Sequence, residues 1–248
     1  MGVKAMTDDA YFDLLREELN GIYEKYDNSY ESLEQNVKAN TVNKKFFSGS
    51  SEMLCIYEPS LIKALRCSWS LKGSFKEKKP RSKQYHLISF DEEKAIKLDF
   101  FDDISTEYTD HKEVFFIYDQ SQTIYLVFEP AKPDQQPMLR EMYLLKYDDM
   151  RRLTEYVHIP SRALSKDLTG EIHKYKGHNL IESVRYSTWY SEFEKYEFGY
   201  SGNGYMNSYK SSDLNRNTVY TAKFTEKDIV RFEKYGRFYF SPRDSGTH

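Results

Sequence analysis

The sequence predicts an α+β protein with a mixed, largely antiparallel sheet, an N-terminal helix and several short strand–helix units. Three observations support this class. Apolar residues recur at helical spacing near the N-terminus, short apolar and aromatic runs end at polar turns, and the segments follow no strict strand–helix alternation. With 248 residues, of which 39% are hydrophobic, the chain is long enough to bury a sizeable core as one domain over 1–248.

The N-terminal helix is the most regular predicted element. Thr7 or Asp8 is the candidate cap, and apolar residues follow at three- and four-residue spacing from Tyr11 to Tyr26. Such spacing lays one apolar stripe along the helix. A second, less periodic helix is expected around residues 30–37, with loop after it.

A recurring unit is expected next, in which a strand ends at an aromatic residue and an acidic or hydroxyl residue leads into a short helix. The segment FDEEKAIKLDFF from Phe90 aligns without gaps with FTEKDIVRFEKY from Phe224, and looser relatives start at Cys55 and Leu145. The match indicates either an internal duplication or the recurrence of helix-capping residues. The second explanation is favoured, because a single match of this length is weak.

Two hairpins and one linker are expected between these units. EVFFIY from Glu113 and IYLVFE from Ile124 flank a polar turn, and Asn203-Gly204 lies between two further strand-like runs. The segment PAKPDQQP at 130–137 cannot form regular structure. It is the best candidate for a sub-domain boundary.

Charge and composition exclude several function classes. The net charge is −3, so no global positive field draws the chain to nucleic acid or anionic lipid. Cys55 and Cys67 are the two cysteines and fit a buried, reduced pair. No apolar run approaches the roughly 20 residues of a membrane helix, and no secretion signal is recognisable. We therefore expect a cytoplasmic protein without membrane contact.

One basic and one acidic run are candidates for nucleic-acid binding or processing. The basic loop at 72–83 could neutralise phosphates while an aromatic ring stacks on a base. Its residues are Lys72, Phe75, Lys76, Lys78, Lys79, Arg81 and Lys83. The acidic stretch at 99–113 offers carboxylate oxygens of the kind that Mg²⁺ prefers, in Asp99, Asp102, Asp103, Glu107, Asp110 and Glu113, with the nitrogen donor His111 among them. An ordinary solvated loop is favoured for the basic run, because nothing else in this mildly acidic chain shows the electrostatic footprint of a nucleic-acid binder. An ordinary acidic loop is favoured for the other run, because it lacks the spacing of a known metal site.

No catalytic signature stands out. His173 and His178 are spaced wrongly for one helical face, while His86, His111 and His158 occur singly. No serine lies in a glycine-flanked elbow and neither cysteine has a catalytic context. The sequence therefore predicts no metal, no cofactor and no catalytic residue, and leans toward a non-enzymatic protein.

The most unusual feature is the aromatic content, with 22 tyrosines and 16 phenylalanines. Tyrosine supplies rigid contact area with a polar tip and is enriched at protein interfaces. Strand alternation can bury one aromatic face, but the other faces solvent unless a helix covers it. The expected function is protein binding, of an inhibitor or immunity type. The surface would consist of Tyr186, Trp189, Tyr190, Phe193, Tyr196, Tyr200 and Tyr205. The alternative is nucleic-acid binding or processing by the basic loop and the acidic stretch.

Overall fold

The computed structural model describes residues 9–49, 73–81, 84–102, 111–129, 136–160, 167–202, 206–213 and 219–223. Within these ranges, two helices are followed by thirteen strands that form one sheet. Every strand pairing in it is antiparallel. The predicted α+β class with strand–helix units is therefore wrong, because strands dominate and both helices precede the first strand.

The helices are α1 (Asp9–Tyr26) and α2 (Tyr30–Asn40), at the two positions that the sequence predicted. The strands are β1 (Asn43–Gly49), β2 (Gly73–Lys76), β3 (Gln84–Phe90), β4 (Ala95–Asp102), β5 (Lys112–Tyr118), β6 (Gln122–Glu129), β7 (Met138–Tyr147), β8 (Leu153–Ile159), β9 (Thr169–Lys176), β10 (Asn179–Ser187), β11 (Glu192–Tyr200), β12 (Met206–Asp213) and β13 (Val219–Lys223). The order across the sheet runs from β13 down to β3 and then through β1 to β2. Most strands thus lie beside the strand that precedes them in the chain.

The two predicted strand–helix units that lie in the described residues, from Phe90 and Leu145, are wrong because the acidic residues after the strands cap tight turns instead of helices. The Asp91 carboxylate accepts hydrogen bonds from the backbone N–H groups two and three residues later, at 2.8 and 2.7 Å. The Asp148 carboxylate does the same for the groups two and four residues later, at 2.9 and 3.0 Å. An aspartate satisfies the open N–H groups of a turn and of a helix start in the same way. Each aspartate does cap backbone N–H groups, as predicted, but the chain then continues as a strand and not as a helix.

The other expected segments fall partly outside the described residues. The expected hairpins exist as the pairs β5–β6 and β11–β12. The Pro-rich segment joins β6 and β7, which pair side by side in the same sheet. Residues 130–135, both cysteines and the segment from Phe224 lie outside the described part of the chain. Internal duplication and the reduced thiols therefore stay predictions.

The sheet has a first face, which α1 and α2 cover, and an opposite second face. The first-face core joins Leu15 and Leu19 of α1 to strand residues such as Leu126 and Leu144. The second face carries its own clusters, around Val127 on the central strands and around Tyr196 and Tyr209 on β11 and β12. Residues 123–128 of β6 are buried at every position, which is the pattern of a strand covered on both sides.

Gly170 of β9 is a close-contact position under the ring of Tyr186. A Cβ atom there would lie 2.3 Å from the Tyr156 carbonyl oxygen and 2.6 Å from the Tyr186 hydroxyl oxygen. We expect Gly170→Ala to lower the free energy of unfolding by about 2 kcal/mol, because overpacking a buried site forces shifts of side chain and backbone. Urea denaturation followed by far-UV circular dichroism measures the change.

The matched control is Gly21→Ala in α1. Gly21 has no atom within 4 Å of the position that a Cβ would take. Alanine favours the helix, so this variant should gain about 0.5 to 1 kcal/mol. A loss of stability at both positions, or at neither, would contradict the contact argument for Gly170.

Candidate functional site

The turn between β10 and β11, residues 188–191, carries two exposed aromatic side chains, and we call it the aromatic tip. Trp189 is 63% exposed and Tyr190 is 68% exposed, with ring centroids 6.1 Å apart. Thr188 anchors the tip, because its N–H donates to the Leu168 carbonyl at 2.8 Å and its hydroxyl accepts from the Leu168 N–H at 2.7 Å. The two rings are therefore held outward by an ordered support.

The other aromatic residues of the predicted interface lie mostly inside. Tyr186 is fully buried on the first face, where Phe12 of α1 meets its ring edge-on at 5.3 Å. Tyr196 is fully buried on the second face. Phe193 and Tyr200 are partly buried, and Tyr205 lies outside the described residues. Helix α1 thus covers Tyr186 on the first face. Among the described residues of the predicted surface, the exposed ones are Trp189 and Tyr190 of the aromatic tip.

Lys97 of β4 lies at the centre of a charged group on the first face, which we call the Lys97 cluster. Its ammonium is 2.9 Å from Asp99, 2.5 Å from Glu113, and also contacts Glu34 of α2. The Tyr30 hydroxyl donates to Glu113 at 2.7 Å. The Lys97 side chain is only 9% exposed, so these charges interact with little solvent between them.

Strand register assembles the Lys97 cluster. Asp99 pairs directly with Glu113 across β4 and β5, and alternation places Lys97 on the same face. Burial alone would lower the pKa of Lys97, but the carboxylates of Asp99 and Glu113 raise it well above its ordinary value. Burial raises the pKa of Asp99, while the Lys97 charge opposes that shift. The ammonium therefore stays charged and ties three carboxylates together.

Three residues at the two ends of the acidic stretch bring their donor atoms close enough together for a metal site. Donor atoms of Asp99, His111 and Glu113 lie within 4.8 Å of one another, the one such trio among the described residues. However, the ammonium of Lys97 already bridges the two carboxylates, and His111 is 4.0 and 3.9 Å from them. We therefore assign the trio to the stability of the fold. Asp103, Glu107 and Asp110 lie outside the described residues.

A ladder of stacked rings connects the Lys97 cluster to the basic loop. His111 stacks on Phe101 with centroids 4.7 Å apart, and Phe101 stacks on Tyr85 at 4.8 Å. The Lys79 ammonium lies 4.9 Å above the Tyr85 ring. The fold thus brings the basic loop and the acidic stretch together. The faces of these rings pack largely on one another, so they are not presented to a nucleic-acid base.

The remaining residues of the basic loop differ in exposure. Phe75 is partly buried against Phe47, with ring centroids 5.2 Å apart, so it is not presented to a base. The cations Lys76, Lys78, Lys79 and Arg81 are exposed, and Lys72 and Lys83 lie outside the described residues.

One polar group on the second face was missed by sequence reasoning. Glu141, His158 and Thr169 come from three neighbouring strands, and register brings His158 beside Thr169. They share no motif, because their proximity depends on the alignment of β7, β8 and β9. Only a prediction of the strand order and of the exact residue pairing could have placed these three residues together.

Comparisons with known proteins give little further guidance. In the described part of the chain, neither helix is long and apolar enough to cross a membrane. No protein-family model matches the sequence. No curated protein matches it either.

Two solved structures resemble parts of the chain. A porin-like protein from Bacteroides vulgatus ATCC 8482 matches with a TM-score of 0.39 and 9% identity, over 58% of this chain and 83% of that one. A protein with unknown function from Bacteroides fragilis NCTC 9343 matches with a TM-score of 0.26 and 10% identity, over 58% of this chain and 93% of that one. At these scores neither resemblance carries weight for fold or function.

Proposed function

We propose that the chain binds a protein partner through the aromatic tip. The observation that supports this is the adjacent pair Trp189 and Tyr190, each about two-thirds exposed at the end of an anchored hairpin. Burial of each of these side chains against a partner would contribute about 2 kcal/mol of favourable free energy. Tryptophan and tyrosine are the residues that most often dominate binding energy at protein interfaces.

The tip also suggests what the partner surface offers. A narrow hairpin end with two large rings fits a concave apolar pocket, because such rings gain most when they are fully desolvated. The indole N–H and the phenol hydroxyl each need a polar partner when buried. A pocket with apolar walls and one or two hydrogen-bond acceptors meets both requirements, as expected for an inhibitor or immunity-type contact.

Trp189→Ala and Tyr190→Ala should each weaken partner binding by about 2 kcal/mol, or about 30-fold in Kd. The melting temperature should change little, because both side chains are exposed. A photo-crosslinking residue at position 190 would capture the partner from nuclease-treated extract of the native cells. Calorimetry with the purified partner would then give the Kd of each variant.

Met150→Ala is the matched control. Met150 is also a large exposed apolar residue, but it lies in the β7–β8 turn, at the other end of the antiparallel sheet from the tip. Binding should be unchanged in this variant. Full affinity in the double variant of Trp189 and Tyr190 would reject the tip as the binding surface.

Nucleic-acid binding is the second candidate, and the exposed cations Lys76, Lys78, Lys79 and Arg81 of the basic loop support it. Anisotropy with a labelled single-stranded oligonucleotide tests it. Phosphate contacts predict a steep loss of affinity between 50 and 200 mM salt, on the order of 10-fold or more for a few contacts. Replacing Lys78, Lys79 and Arg81 with alanine should remove that binding. No salt-dependent binding in the wild type would eliminate this candidate.

A further inference from the structure

Three polar side chains stand in line on the second face, on three neighbouring strands. His158 Nε2 lies 3.3 Å from a carboxylate oxygen of Glu141, and His158 Nδ1 lies 3.3 Å from Thr169 Oγ1. The register pairs His158 with both Tyr143 and Thr169, and alternation puts Glu141 on the same face as Tyr143. Carboxylate, imidazole and hydroxyl in this order are the arrangement that activates a hydroxyl nucleophile.

Glu141 is held in its ionised form by its neighbours. Lys112 donates to one carboxylate oxygen at 2.8 Å and the Tyr143 hydroxyl to the other at 2.9 Å. Burial would raise the pKa of Glu141, but the contacts with His158 and Lys112 lower it to about 2. Among the described residues His158 Nε2 makes no hydrogen bond, but the negative charge of the Glu141 carboxylate 3.3 Å away favours the tautomer with the proton on that nitrogen. Nδ1 is then the acceptor that faces the Thr169 hydroxyl.

The imidazole ring is also fixed in orientation. His158 stacks face to face on Tyr143, with centroids 4.4 Å apart and planes 10° apart. Tyr143 in turn stacks on Tyr156 at 6.0 Å. Packing on Tyr143 thus fixes the orientation of the imidazole ring, and a fixed ring is one part of the pre-organisation that proton transfer needs.

Ser187 supplies a further polar group at the same place. It pairs directly with Thr169 across β9 and β10, so both side chains project from the second face. The Ser187 residue is 7% exposed, and its hydroxyl has no hydrogen-bond partner. A buried hydroxyl without a partner requires an explanation. A hydroxyl beside a nucleophile can donate to the oxyanion that forms in acyl transfer.

We propose that Thr169, His158, Glu141 and Ser187 form a hydrolytic acyl-transfer site for small carboxylic esters. The His158 and Glu141 side chains are 18% and 19% exposed, and Thr169 is partly exposed, so a compact ester can reach the hydroxyl. The inference is independent of the aromatic tip, since it concerns other residues and a different kind of ligand.

The reaction balances with water as the second reactant. Thr169 Oγ attacks the carbonyl carbon, its proton passes to His158 Nδ1, and Ser187 donates to the carbonyl oxygen. The bond between the carbonyl carbon and the alcohol oxygen then breaks, and the departing alcohol takes the proton from His158. Water then attacks the acyl-Thr169 ester through the same base, and the released carboxylic acid leaves Thr169 with its proton restored.

Turnover of p-nitrophenyl acetate and labelling by a fluorophosphonate probe test the site in the full chain. We expect hydrolysis well above the buffer rate and a single label that mass spectrometry places on Thr169. Thr169→Val keeps the side-chain shape and should lower kcat at least 100-fold and abolish labelling. Ser187→Ala should lower kcat about 10-fold or more with little change in KM.

Thr154→Val is the matched control, since Thr154 is a strand threonine whose hydroxyl donates to the Lys146 carbonyl at 3.1 Å. It should retain the wild-type rate. Melting temperatures of all variants show whether each is folded. No turnover and no label in the folded wild type overturns the proposal. Labelling of Lys112 or Tyr143 instead, or full activity in Thr169→Val, overturns it as well.

Discussion

Replacing Lys97 with methionine should lower the free energy of unfolding by about 4 kcal/mol, since removing one member of a buried ion group leaves the others uncompensated. The carboxylates of Glu34, Asp99 and Glu113 converge on the Lys97 ammonium from α2, β4 and β5. Without it, they repel one another in a site with little solvent. Guanidinium denaturation at pH 7 measures the loss.

Two comparisons separate this effect from a loss of ordinary surface charge. Lys38 is 75% exposed and lies 3.7 Å from the same Glu34, so Lys38→Met should change stability by less than about 0.5 kcal/mol. Adding Asp99→Asn and Glu113→Gln to Lys97→Met should recover much of the loss, because the unpaired charges are then gone. Equal effects of the two lysine substitutions would show that the cluster carries no special weight.

Acidification from pH 7 to pH 5 should lower the free energy of unfolding by about 4 kcal/mol through two buried histidines. Burial lowers the pKa of His86 to about 4 and that of His173 to about 3. In the unfolded chain both titrate near 6.5, so the unfolded state binds more protons throughout this window. Their contribution is complete above the unfolded pKa and is lost as the pH falls toward the folded values, by about 1.4 kcal/mol per histidine per pH unit.

The two histidines differ in the groups that face them. His86 packs against the rings of Phe100 and Phe47, whereas His173 has the Glu171 carboxylate 3.7 Å away, which favours its protonated form. Asp99, whose pKa burial raises, works in the opposite direction as the pH falls, because the folded state then binds the additional proton more readily. His86→Leu leaves Asp99 unchanged, so about half of the pH slope should disappear in this variant. An unchanged slope would show that His86 does not titrate as described.

Local patterns in the sequence predicted the helices and the hairpins, but not the architecture. The stripe from Tyr11 to Tyr26 and the turn between β5 and β6 depend on neighbouring residues, so the sequence carries them directly. The sequence around Asp91 and Asp148 indicated helix starts, because an aspartate cap serves both helix and turn. Whether the chain coils or turns back there is decided by pairing with distant strands.

The candidate sites likewise divide into those that the local sequence indicates and those that depend on contacts between distant segments. Trp189 and Tyr190 were found by composition, since aromatic density is visible without any structure. Composition could not separate them from Tyr186, which is buried because α1 places Phe12 over it. The Lys97 cluster required a contact between β4 and a helix about sixty residues earlier, and no local rule predicts that contact.

The strand order also bears on how the protein folds. Apart from β1 with β3, each pairing in the described sheet joins strands that are consecutive in the chain. The entropy of closing most connections is therefore small, and the sheet has low contact order for an architecture dominated by strands. Once one central hairpin such as β6–β7 has formed, further strands can add to it in turn. We expect millisecond refolding that begins in the middle of the sheet and, among the described strands, amide exchange that is fastest at β13 and β2.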